Sequence, residues 1–368
     1  MKYGIFGGAF DPVHLEHLHV MQSALNELGL DAVVVVPSGN APHKSTATSY
    51  QDRVALLERT LEGDARFIVD DLETRLTGVT NTARILPLLK EKYGDIRFIM
   101  GGDSFFSIET WISPNVILSY PLAVVPRAGK REALLEKAAF YNAKGCDIKV
   151  LQYVGKEVSS TEIRTRLALG LPSEHIAQAC LPYIRAHGLY AYRADMIMAL
   201  KERLPEKRFL HSLQVVVAAV KLNEQLGLPY DKVFVAALLH DCAKYTKKPH
   251  PEVPAEYSFH PIGHAFFGAE EAREDFGVKD EDVLNAIRYH TTGRPAMSDL
   301  ERLIYLADLI EDSRTFEGVE ELRKASYEDF NRGFLLSLTE QRKYLGNGEN
   351  VCPLTAECYN YYVQEGKK

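Results

Sequence analysis

Apolar positions are patterned differently in the two halves of the chain. In the first half, short uninterrupted apolar runs alternate with segments in which apolar residues recur at helical spacing. Besides a first strand at the N-terminus, the runs expected to form strands are 32–37, 96–100, 122–125 and 148–151. The segments expected to form helices are 14–28, 50–62, 80–92 and 131–143. This alternation predicts an α/β fold with a doubly wound parallel sheet.

The strand pattern stops after about residue 190, and longer segments of helical spacing follow. They cover 195–203, 209–227, 231–245, 264–276, 280–290, 299–312, 319–325, 328–345 and 353–364. At 368 residues the chain is also longer than one ordinary hydrophobic core supports. We therefore predict an α/β domain over residues 1–192 and an all-α domain over residues 195–368.

Composition and charge narrow the class of protein. A hydrophobic content of 46% and a charged content of 25% are typical of a soluble globular protein. The net charge of −7 argues against a general nucleic-acid binder, although it allows a local phosphate pocket. We expect no membrane span and no signal peptide, because the apolar runs are short and a strand starts at once. Five irregularly spaced cysteines fit neither a zinc ribbon nor a disulfide framework, which favours the reducing cytoplasm.

The first candidate for chemistry is the stretch 2–17, in which an apolar run meets two glycines, a proline and two histidines. Gly7 and Gly8 suit a backbone that approaches a ligand closely or turns with positive φ. The free N–H groups of a helix that starts near Pro12 favour an anion such as phosphate. His14 and His17 are three residues apart and share one helix face. This pattern indicates chemistry on a nucleotide.

Three further groups of polar residues follow predicted strands or open predicted helices. The loop 37–44 carries a cation, the segment 101–104 contains two glycines and an aspartate, and 158–164 opens a helix with hydroxyls and an arginine. In a parallel sheet, the loops beyond the carboxyl ends of the strands surround the ligand. An arginine at a helix start is a suitable clamp for a polyphosphate.

In this order, the four motifs resemble those of the nicotinate-nucleotide adenylyltransferases, a family of the HxGH nucleotidyltransferase superfamily. The resemblance covers residues 1–192 and implies a Rossmann-like fold. It also implies that ATP, with Mg²⁺, is joined to nicotinate mononucleotide to give deamido-NAD and pyrophosphate. By this resemblance the site residues are His14, His17, Arg164, Gly7, Gly8, Phe10, Lys44, Thr82, Asp103, Trp111, Ser159, Ser160 and Thr161.

The resemblance also implies a role for most of these residues. The two histidines contact the ATP phosphates, and Arg164 with the neighbouring hydroxyls holds the β- and γ-phosphates. Lys44 holds a phosphate of either substrate, and Asp103 binds ribose hydroxyls or helps to carry Mg²⁺. Trp111 stacks on the nicotinate ring, and Thr82 lies near the nicotinate carboxylate.

One position departs from the superfamily pattern. The residue before the second motif histidine is glycine in the superfamily, whereas this chain has Glu16. A carboxylate there repels a triphosphate, raises the pKa of a neighbouring histidine, or points away along the helix. The sequence leaves these three alternatives open.

The helical half contains a second group of candidate residues. His211 is followed by the adjacent pair His240 and Asp241 at the end of an apolar run, and then by Lys244, His260, His264, His290 and Asp308. Imidazole and carboxylate ligands suit Fe, Mn, Zn, Co or Mg. A pair of such metals activates water and neutralises phosphate charge.

The order of these residues resembles that of the HD-domain phosphohydrolases. The strings 236–244, 286–295 and 304–308 resemble the bacterial HD hydrolases that cut diadenosine tetraphosphate (Ap4A) into two ADP. The resemblance covers residues 195–365 and implies two divalent metals, with iron preferred and Mn, Co or Zn as alternatives. The implied ligands are His211, His240, Asp241, His264, His290 and Asp308. Lys244 and Arg294 are implied to bind phosphate or assist the leaving group.

We therefore expect a bifunctional cytoplasmic enzyme whose small-molecule partners are ATP, nicotinate mononucleotide and Ap4A, with no nucleic-acid or membrane partner. A homo-oligomer is left open. Three alternatives remain at this point. In the first, the N-terminal domain is a degenerate nucleotide-binding sensor that regulates the hydrolase. In the second, this domain uses nicotinamide mononucleotide or phosphopantetheine as acceptor. In the third, the HD half cuts a nucleotide monophosphate or a cyclic dinucleotide instead of Ap4A.

Overall fold

The computed structural model describes residues 1–39, 47–259, 261–345 and 352–366. The chain divides into two compact units. The first comprises Met1–Leu167 and Leu171–Ala191, and the second comprises Ala168–Gly170 and Tyr192–Lys368.

The first unit is built on a six-stranded parallel sheet of order β3-β2-β1-β4-β5-β6. Its strands are β1 (Lys2–Gly8), β2 (Ala32–Pro37), β3 (Phe67–Val69), β4 (Asp95–Gly101), β5 (Leu122–Val125) and β6 (Ile148–Val150). Its helices are α1 (Leu15–Leu28), α2 (Tyr50–Leu61), α3 (Leu72–Arg75), α4 (Thr82–Tyr93), α5 (Gly102–Phe106), α6 (Pro114–Leu118), α7 (Arg131–Asn142), α8 (Ser160–Ala168) and α9 (Cys180–Ala186). The predicted doubly wound α/β fold is confirmed.

Both faces of this sheet are covered, as the continuous apolar runs predicted. Every residue of β2 and β5 is buried. Successive residues of a strand point to opposite faces, and Val33 and Val34 accordingly belong to two different apolar clusters. The strand β3 was not predicted, because three residues are too few to show a period.

The position of β1 determines where the first unit can bind a ligand. This strand pairs with β2 on one side and with β4 on the other, so the strand order reverses beside it. Such a reversal opens a crevice at the carboxyl edge of a parallel sheet. The turn that leaves β1 after Gly8 therefore lies at the crevice.

In the second unit, the regular elements among the described residues are all helical, as predicted. They are α10 (Ala194–Arg203), α11 (Glu206–Leu222), α12 (Tyr230–Leu239), α13 (Gly263–Asp275), α14 (Glu281–Tyr289), α15 (Asp299–Ile310), α16 (Val319–Glu328), α17 (Phe330–Leu345) and α18 (Pro353–Tyr359), besides a 3₁₀ turn (Ala255–Tyr257) and a π-helical turn (Asn360–Gln364). Within the described ranges, none of the helices has the length and apolar character of a membrane span.

The end of α12 corrects one prediction. The sequence pattern suggested a helix over 231–245, whereas α12 ends at Leu239. Beyond it the chain continues in tight turns, in which the Cys242 and Lys244 N–H groups donate to the carbonyls of Leu239 and Asp241, 3.0 Å in each case. His240 and Asp241 therefore lie just beyond the helix end.

Candidate active sites

A cavity of about 610 Å³ lies at the carboxyl edge of the sheet in the first unit. The turn after β1 and the starts of α1 and α8 contribute to its wall. Of the predicted residues, those that line it are Gly7, Gly8, Phe10, His14, His17, Ser160 and Arg164. Arg127 and Lys156 also line it and were not predicted. Arg127 follows the end of β5, so the rule on strand ends could have indicated it.

The turn after β1 is shaped by Phe10. Neither Gly7 nor Gly8 has a positive φ, which excludes the second of the two alternatives for these glycines. A close approach of the backbone to a ligand stays a prediction. The left-handed residue is Phe10, with φ of 51°. A Cβ at Gly8 would lie 3.0 Å from the Phe10 ring, which explains the glycine. The buried Phe10 ring also packs edge-on to His17, with centroids 5.0 Å apart.

The two motif histidines form a stacked pair at the start of α1. Their ring centroids are 3.6 Å apart, and the His14 backbone N–H donates to His17 Nδ1 at 3.2 Å. Because Nδ1 accepts this hydrogen bond, a neutral His17 carries its own proton on Nε2. The Nε2–H group can then donate a hydrogen bond to a phosphate. Burial, together with the nearby His175, lowers the pKa of His14 to about 4. His14 is therefore neutral at pH 7.

The lowered pKa predicts how acid affects the first unit. Unfolded His14 takes up a proton near pH 6.5, whereas the folded ring resists protonation until about pH 4. Stability is therefore lost as the pH falls from 6.5 towards 4, by about 3 kcal/mol from this residue. We expect His14→Asn, which keeps a helix-capping side chain, to lose less stability than the wild type between pH 7 and pH 4.5.

Urea unfolding followed by the fluorescence of Trp111 measures this effect, because the only tryptophan of the chain lies in the first unit. His187→Asn is the matched control, since His187 is exposed in the same unit. Parallel losses for wild type and His14→Asn would contradict the prediction.

Arg164 is fixed at the cavity by two hydrogen bonds. Its Nη1 donates to the Asp11 carbonyl at 2.7 Å, and its Nη2 donates to Thr161 Oγ1 at 3.0 Å. Ser159 Oγ accepts the Glu162 N–H at 3.3 Å and so acts on the helix start itself. The geometry places a guanidinium and the Ser160 hydroxyl on the cavity wall.

A buried polar frame supports this cavity, and sequence reasoning missed it. Arg53 on α2 donates to the Ala9 carbonyl at 2.6 Å and to the Ser38 carbonyl at 2.7 Å. It thereby ties the turn after β1 to the end of β2. The Asp11 carboxylate accepts hydrogen bonds from Thr48 and Tyr190, at 2.7 and 3.0 Å. The available signal was that Arg53 lies on the same helix face as the apolar residues 56 and 57.

Several predicted residues do not line the cavity. Asp103 is half-exposed and forms ion pairs with Arg127 at 3.1 Å and Lys130 at 3.0 Å. Thr82 is the first residue of α4, and Trp111 packs against an apolar cluster of the sheet. The Thr161 hydroxyl accepts a hydrogen bond from Arg164, and the Ser159 hydroxyl caps α8. Both hydroxyls therefore bind protein groups beside the cavity. Lys44 lies outside the described residues, and the predicted roles of all these residues stay predictions.

Glu16 does not point away from the cavity, so that alternative is wrong. Its side chain is buried, and its carboxylate accepts hydrogen bonds from Tyr153 and from the Lys156 N–H group. Glu16 also belongs to the cavity wall.

In the second unit, the six predicted ligands form one cluster at the ends or inner faces of five helices. Two of their short contacts join His211 Nε2 to Asp308 Oδ1 at 3.0 Å and His264 Nε2 to Asp241 Oδ1 at 3.1 Å. His240 Nε2 lies 3.3 Å from His211 Nε2. The remaining ligand, His290, has its Nε2 3.3 Å from His264 Nε2. His260 lies outside the described residues.

The donor atoms of this cluster suit divalent metals. Among the described residues, two sets have donor atoms within 4.8 Å of one another, namely His211, His240 and Asp308, and His240, Asp241 and His290. The Nδ1 atoms of His240 and His290 each lie 2.7 Å from a backbone carbonyl, at Ala237 and Ile287. An Nδ1–H that donates to a carbonyl leaves the Nε2 lone pair free to coordinate a metal. His211 Nδ1 lies 3.0 Å from Glu311 Oε1, which orients a third ring.

The pKa values of His240, His264 and Asp308 favour the protonation states that metal ligands need. Burial would lower the pKa of His211 as well, but its hydrogen bonds with Asp308 and Glu311 raise it. Burial lowers the pKa of His240 to about 3, so its ring is neutral. Burial alone would raise the pKa of Asp308, but the hydrogen bond with His211 and the charge of Arg314 hold it well below its usual range. Neutral imidazoles and ionised carboxylates bind metals without first losing a proton.

Three cationic side chains lie around the cluster. Arg208 Nη1 donates to Asp241 Oδ2 at 2.7 Å, and Arg314 binds both the carbonyl and the carboxylate of Asp308. Lys244 Nζ lies 3.0 Å from His264 Nε2. Each cation is partly exposed, so it can also contact a ligand outside the cluster. Of these three, only Lys244 was predicted from the sequence.

Sequence reasoning missed Arg208, Glu311 and Arg314, although their spacing gives a signal. Arg208 precedes the first histidine ligand by three residues, and Glu311 and Arg314 follow the last aspartate ligand by three and six. The other predicted cation, Arg294, forms a two-point ion pair with Glu301, with distances of 2.7 and 2.9 Å. Its role in phosphate binding stays a prediction.

Two family models match the chain, one in each half. A Cytidylyltransferase-like model matches residues 5–166, and an HD domain model matches residues 208–312. A protein from Mycoplasma genitalium named "Probable nicotinate-nucleotide adenylyltransferase/Ap4A hydrolase" is 28% identical over 372 residues, which cover 94% of this chain and 98% of that protein.

Two shorter relatives each match one half. The "Bis(5'-nucleosyl)-tetraphosphatase, symmetrical" of Bacillus subtilis is 37% identical over 181 residues, 46% of this chain and 97% of that protein. A "Probable nicotinate-nucleotide adenylyltransferase" of Neisseria meningitidis serogroup C is 36% identical over 197 residues, 51% of this chain and 98% of that protein.

Proposed function

Because the chain belongs to the nicotinate-nucleotide adenylyltransferases in its first half and to the symmetrical bis(5'-nucleosyl)-tetraphosphatases in its second, we propose that it carries both activities. Residues 1–192 join ATP to nicotinate mononucleotide, and residues 195–368 cut Ap4A into two ADP. The observation that supports this most strongly is that each compact unit contains a polar site of its own. One is a cavity with two stacked histidines and an arginine, and the other is a cluster of the six predicted ligands, five of which form two sets of closely spaced donor atoms.

In the first unit, the reaction is an in-line transfer of an adenylyl group. A phosphate oxygen of nicotinate mononucleotide forms a bond to the α-phosphorus of ATP, and the bond from that phosphorus to the bridging oxygen breaks. Pyrophosphate leaves with the bonding electrons. His17 Nε2–H donates to the oxygen on which charge develops, and Arg164 binds the leaving phosphates. Mg²⁺ enters with ATP and neutralises phosphate charge.

In the second unit, the six ligands hold two divalent metals, with iron preferred and Mn, Co or Zn as alternatives. When bound, such a pair of metals supplies an activated water and Lewis acidity toward phosphate. The chain's own cations Arg208, Lys244 and Arg314 bind the remaining phosphate oxygens of the tetraphosphate. They also orient it so that water adds at one of its two central phosphorus atoms. The bridge between those two atoms breaks, and each ADP keeps two phosphates.

Metal removal separates the two activities. After chelation, we expect Mg²⁺ alone to restore pyrophosphate release from ATP and nicotinate mononucleotide. Ap4A hydrolysis should return only with Fe²⁺, Mn²⁺, Co²⁺ or Zn²⁺, because imidazole nitrogen suits these metals better than Mg²⁺. Chromatography of the nucleotides and metal analysis of protein purified without chelators measure both effects.

Four results would contradict parts of the proposal. If Mg²⁺ alone restored Ap4A hydrolysis, the assignment of Fe, Mn, Co or Zn to the second unit would be wrong. If none of these four metals restored it, Ap4A would not be the substrate. Nucleotide binding without pyrophosphate release would favour a regulatory sensor in the first unit. A rate with nicotinamide mononucleotide equal to or higher than that with nicotinate mononucleotide would contradict the assignment of nicotinate mononucleotide as the acceptor.

A further inference from the structure

Glu16 occupies an unusual place for a carboxylate, in the wall of a cavity that we propose binds a triphosphate. It is the second residue of α1 and is 7% exposed. Its Oε1 and Oε2 atoms accept from the Tyr153 hydroxyl at 2.9 and 3.1 Å, and Oε1 accepts from the Lys156 N–H at 3.0 Å. His19 Nδ1 lies 3.6 Å from Oε2. Hydrogen bonds therefore hold the carboxylate in place.

The partners of Glu16 lie in the loop 151–159, which connects β6 to α8. Beside Glu16, the Gly155 N–H donates to the Pro126 carbonyl at 2.8 Å, and a Cβ at Gly155 would lie 3.4 Å from Glu16 Oε1. At the other end of α1, Glu27 accepts the N–H groups of Gln152 and Tyr153, at 2.6 and 2.9 Å. Helix α1 thus holds this loop at two points.

The loop contributes directly to the cavity. Gly155, Lys156 and Val158 line it, and the chain then continues into α8, which carries Ser160 and Arg164. Burial, followed by the Glu16 carboxylate, raises the pKa of Tyr153 to about 12, so its hydroxyl remains a donor. A change at residue 16 therefore reaches the loop and, through it, the start of α8.

We propose that Glu16 is a positioning residue for ATP, which fixes the loop 151–159 so that Lys156 and the start of α8 meet the triphosphate. The two hydrogen-bond donors partly offset its charge, so its repulsion of phosphate is reduced. Glycine, the superfamily residue, offers neither hydrogen bond. This inference rests on the proposed adenylyl transfer.

Kinetics of the full chain test the inference. We expect Glu16→Gly to raise the KM for ATP about tenfold, equivalent to about 1.4 kcal/mol, and to leave the KM for nicotinate mononucleotide within about twofold. Glu16→Gln, whose amide oxygen still accepts the Lys156 N–H, should recover most of the loss. Tyr153→Phe should raise the KM for ATP about threefold, because it removes one donor only.

Glu58→Gly is the matched control, since Glu58 is exposed on α2 and the change also places glycine in a helix. Ap4A hydrolysis in the same samples shows whether the second unit is folded. If Glu16→Gly unfolds the first unit, the Gln and Phe variants decide the question. An unchanged or lower KM for ATP in Tyr153→Phe, a tenfold rise of that KM in Glu16→Gln, or a faster reaction of Glu16→Gly would overturn the inference.

Failure of the proposed function gives a different result. If the wild type releases no pyrophosphate, calorimetric binding of a non-hydrolysable ATP analogue still tests Glu16. If Glu16→Gly then bound the analogue with tenfold weaker affinity, the result would support a role of Glu16 in positioning the loop for ATP binding, without a role in adenylyl transfer.

Discussion

Replacing Asp241 by asparagine should lower Ap4A hydrolysis on the order of 10³-fold or more, while adenylyl transfer stays within about twofold of the wild type. Asp241 belongs to one of the two sets of potential ligands, and its Oδ2 also lies 3.8 Å from His211 Nε2 in the other set. Its Oδ1 is 3.1 Å from His264 Nε2, and its Oδ2 is 3.6 Å from His240 Nε2. Asparagine has nearly the same shape and keeps an oxygen for Arg208, but it removes the negative charge and one anionic ligand atom.

Formation of ADP, measured by chromatography, and the metal content per chain test this prediction together. Asp299→Asn is the matched control, because Asp299 is half-exposed at the start of α15 in the same unit. We expect the control to keep both its metal and its activity. An Asp241→Asn protein that binds two metals and hydrolyses Ap4A at the wild-type rate would contradict the assignment.

Replacing His17 by alanine should lower kcat for pyrophosphate release by about 10² to 10³-fold and leave Ap4A hydrolysis unchanged. The variant loses the Nε2–H donor that the contact from the His14 N–H to Nδ1 orients towards the cavity. It also removes the ring that stacks on His14 and packs against Phe10. The expected loss is therefore in the rate of the chemical step, with a smaller effect on the KM for ATP.

His187→Ala serves as the control for this prediction, since His187 is exposed in the same unit and stacks on Tyr183. Steady-state kinetics with coupled detection of pyrophosphate measure both variants. If His17→Ala keeps the wild-type kcat, His17 has no role in the chemistry, and the sensor alternative for the first unit gains support.

Local patterns made most of the fold predictable. The strand β2 is a run of apolar residues buried at every position, and helices such as α2 and α14 show their buried faces in their spacing. The prediction failed where a segment was short, as in β3, or where tight turns replaced helix after α12. In both cases the residues that form the local hydrogen bonds show no repeating pattern of apolar positions from which the element could be predicted.

The candidate sites divide in the same way. His14 and His17 were found because both belong to one helix turn, and the six potential ligands were found because their order along the chain is distinctive. Arg53 and Glu311 were missed, because each contacts a site only through a partner that folding brings close. Glu311, for instance, lies 100 positions from the histidine that it orients.

The sequence by itself therefore determined the two architectures, the residues of the phosphate motifs and the identity of the potential metal ligands. These properties depend on residue type and on short-range spacing. Only the tertiary structure decided which groups the ring nitrogens contact, which cations lie beside the carboxylates, and where the Glu16 side chain points. Those properties depend on hydrogen bonds between distant segments. The carboxylate of Glu16 shows this most clearly, since its partners lie 137 and 140 positions further along the chain.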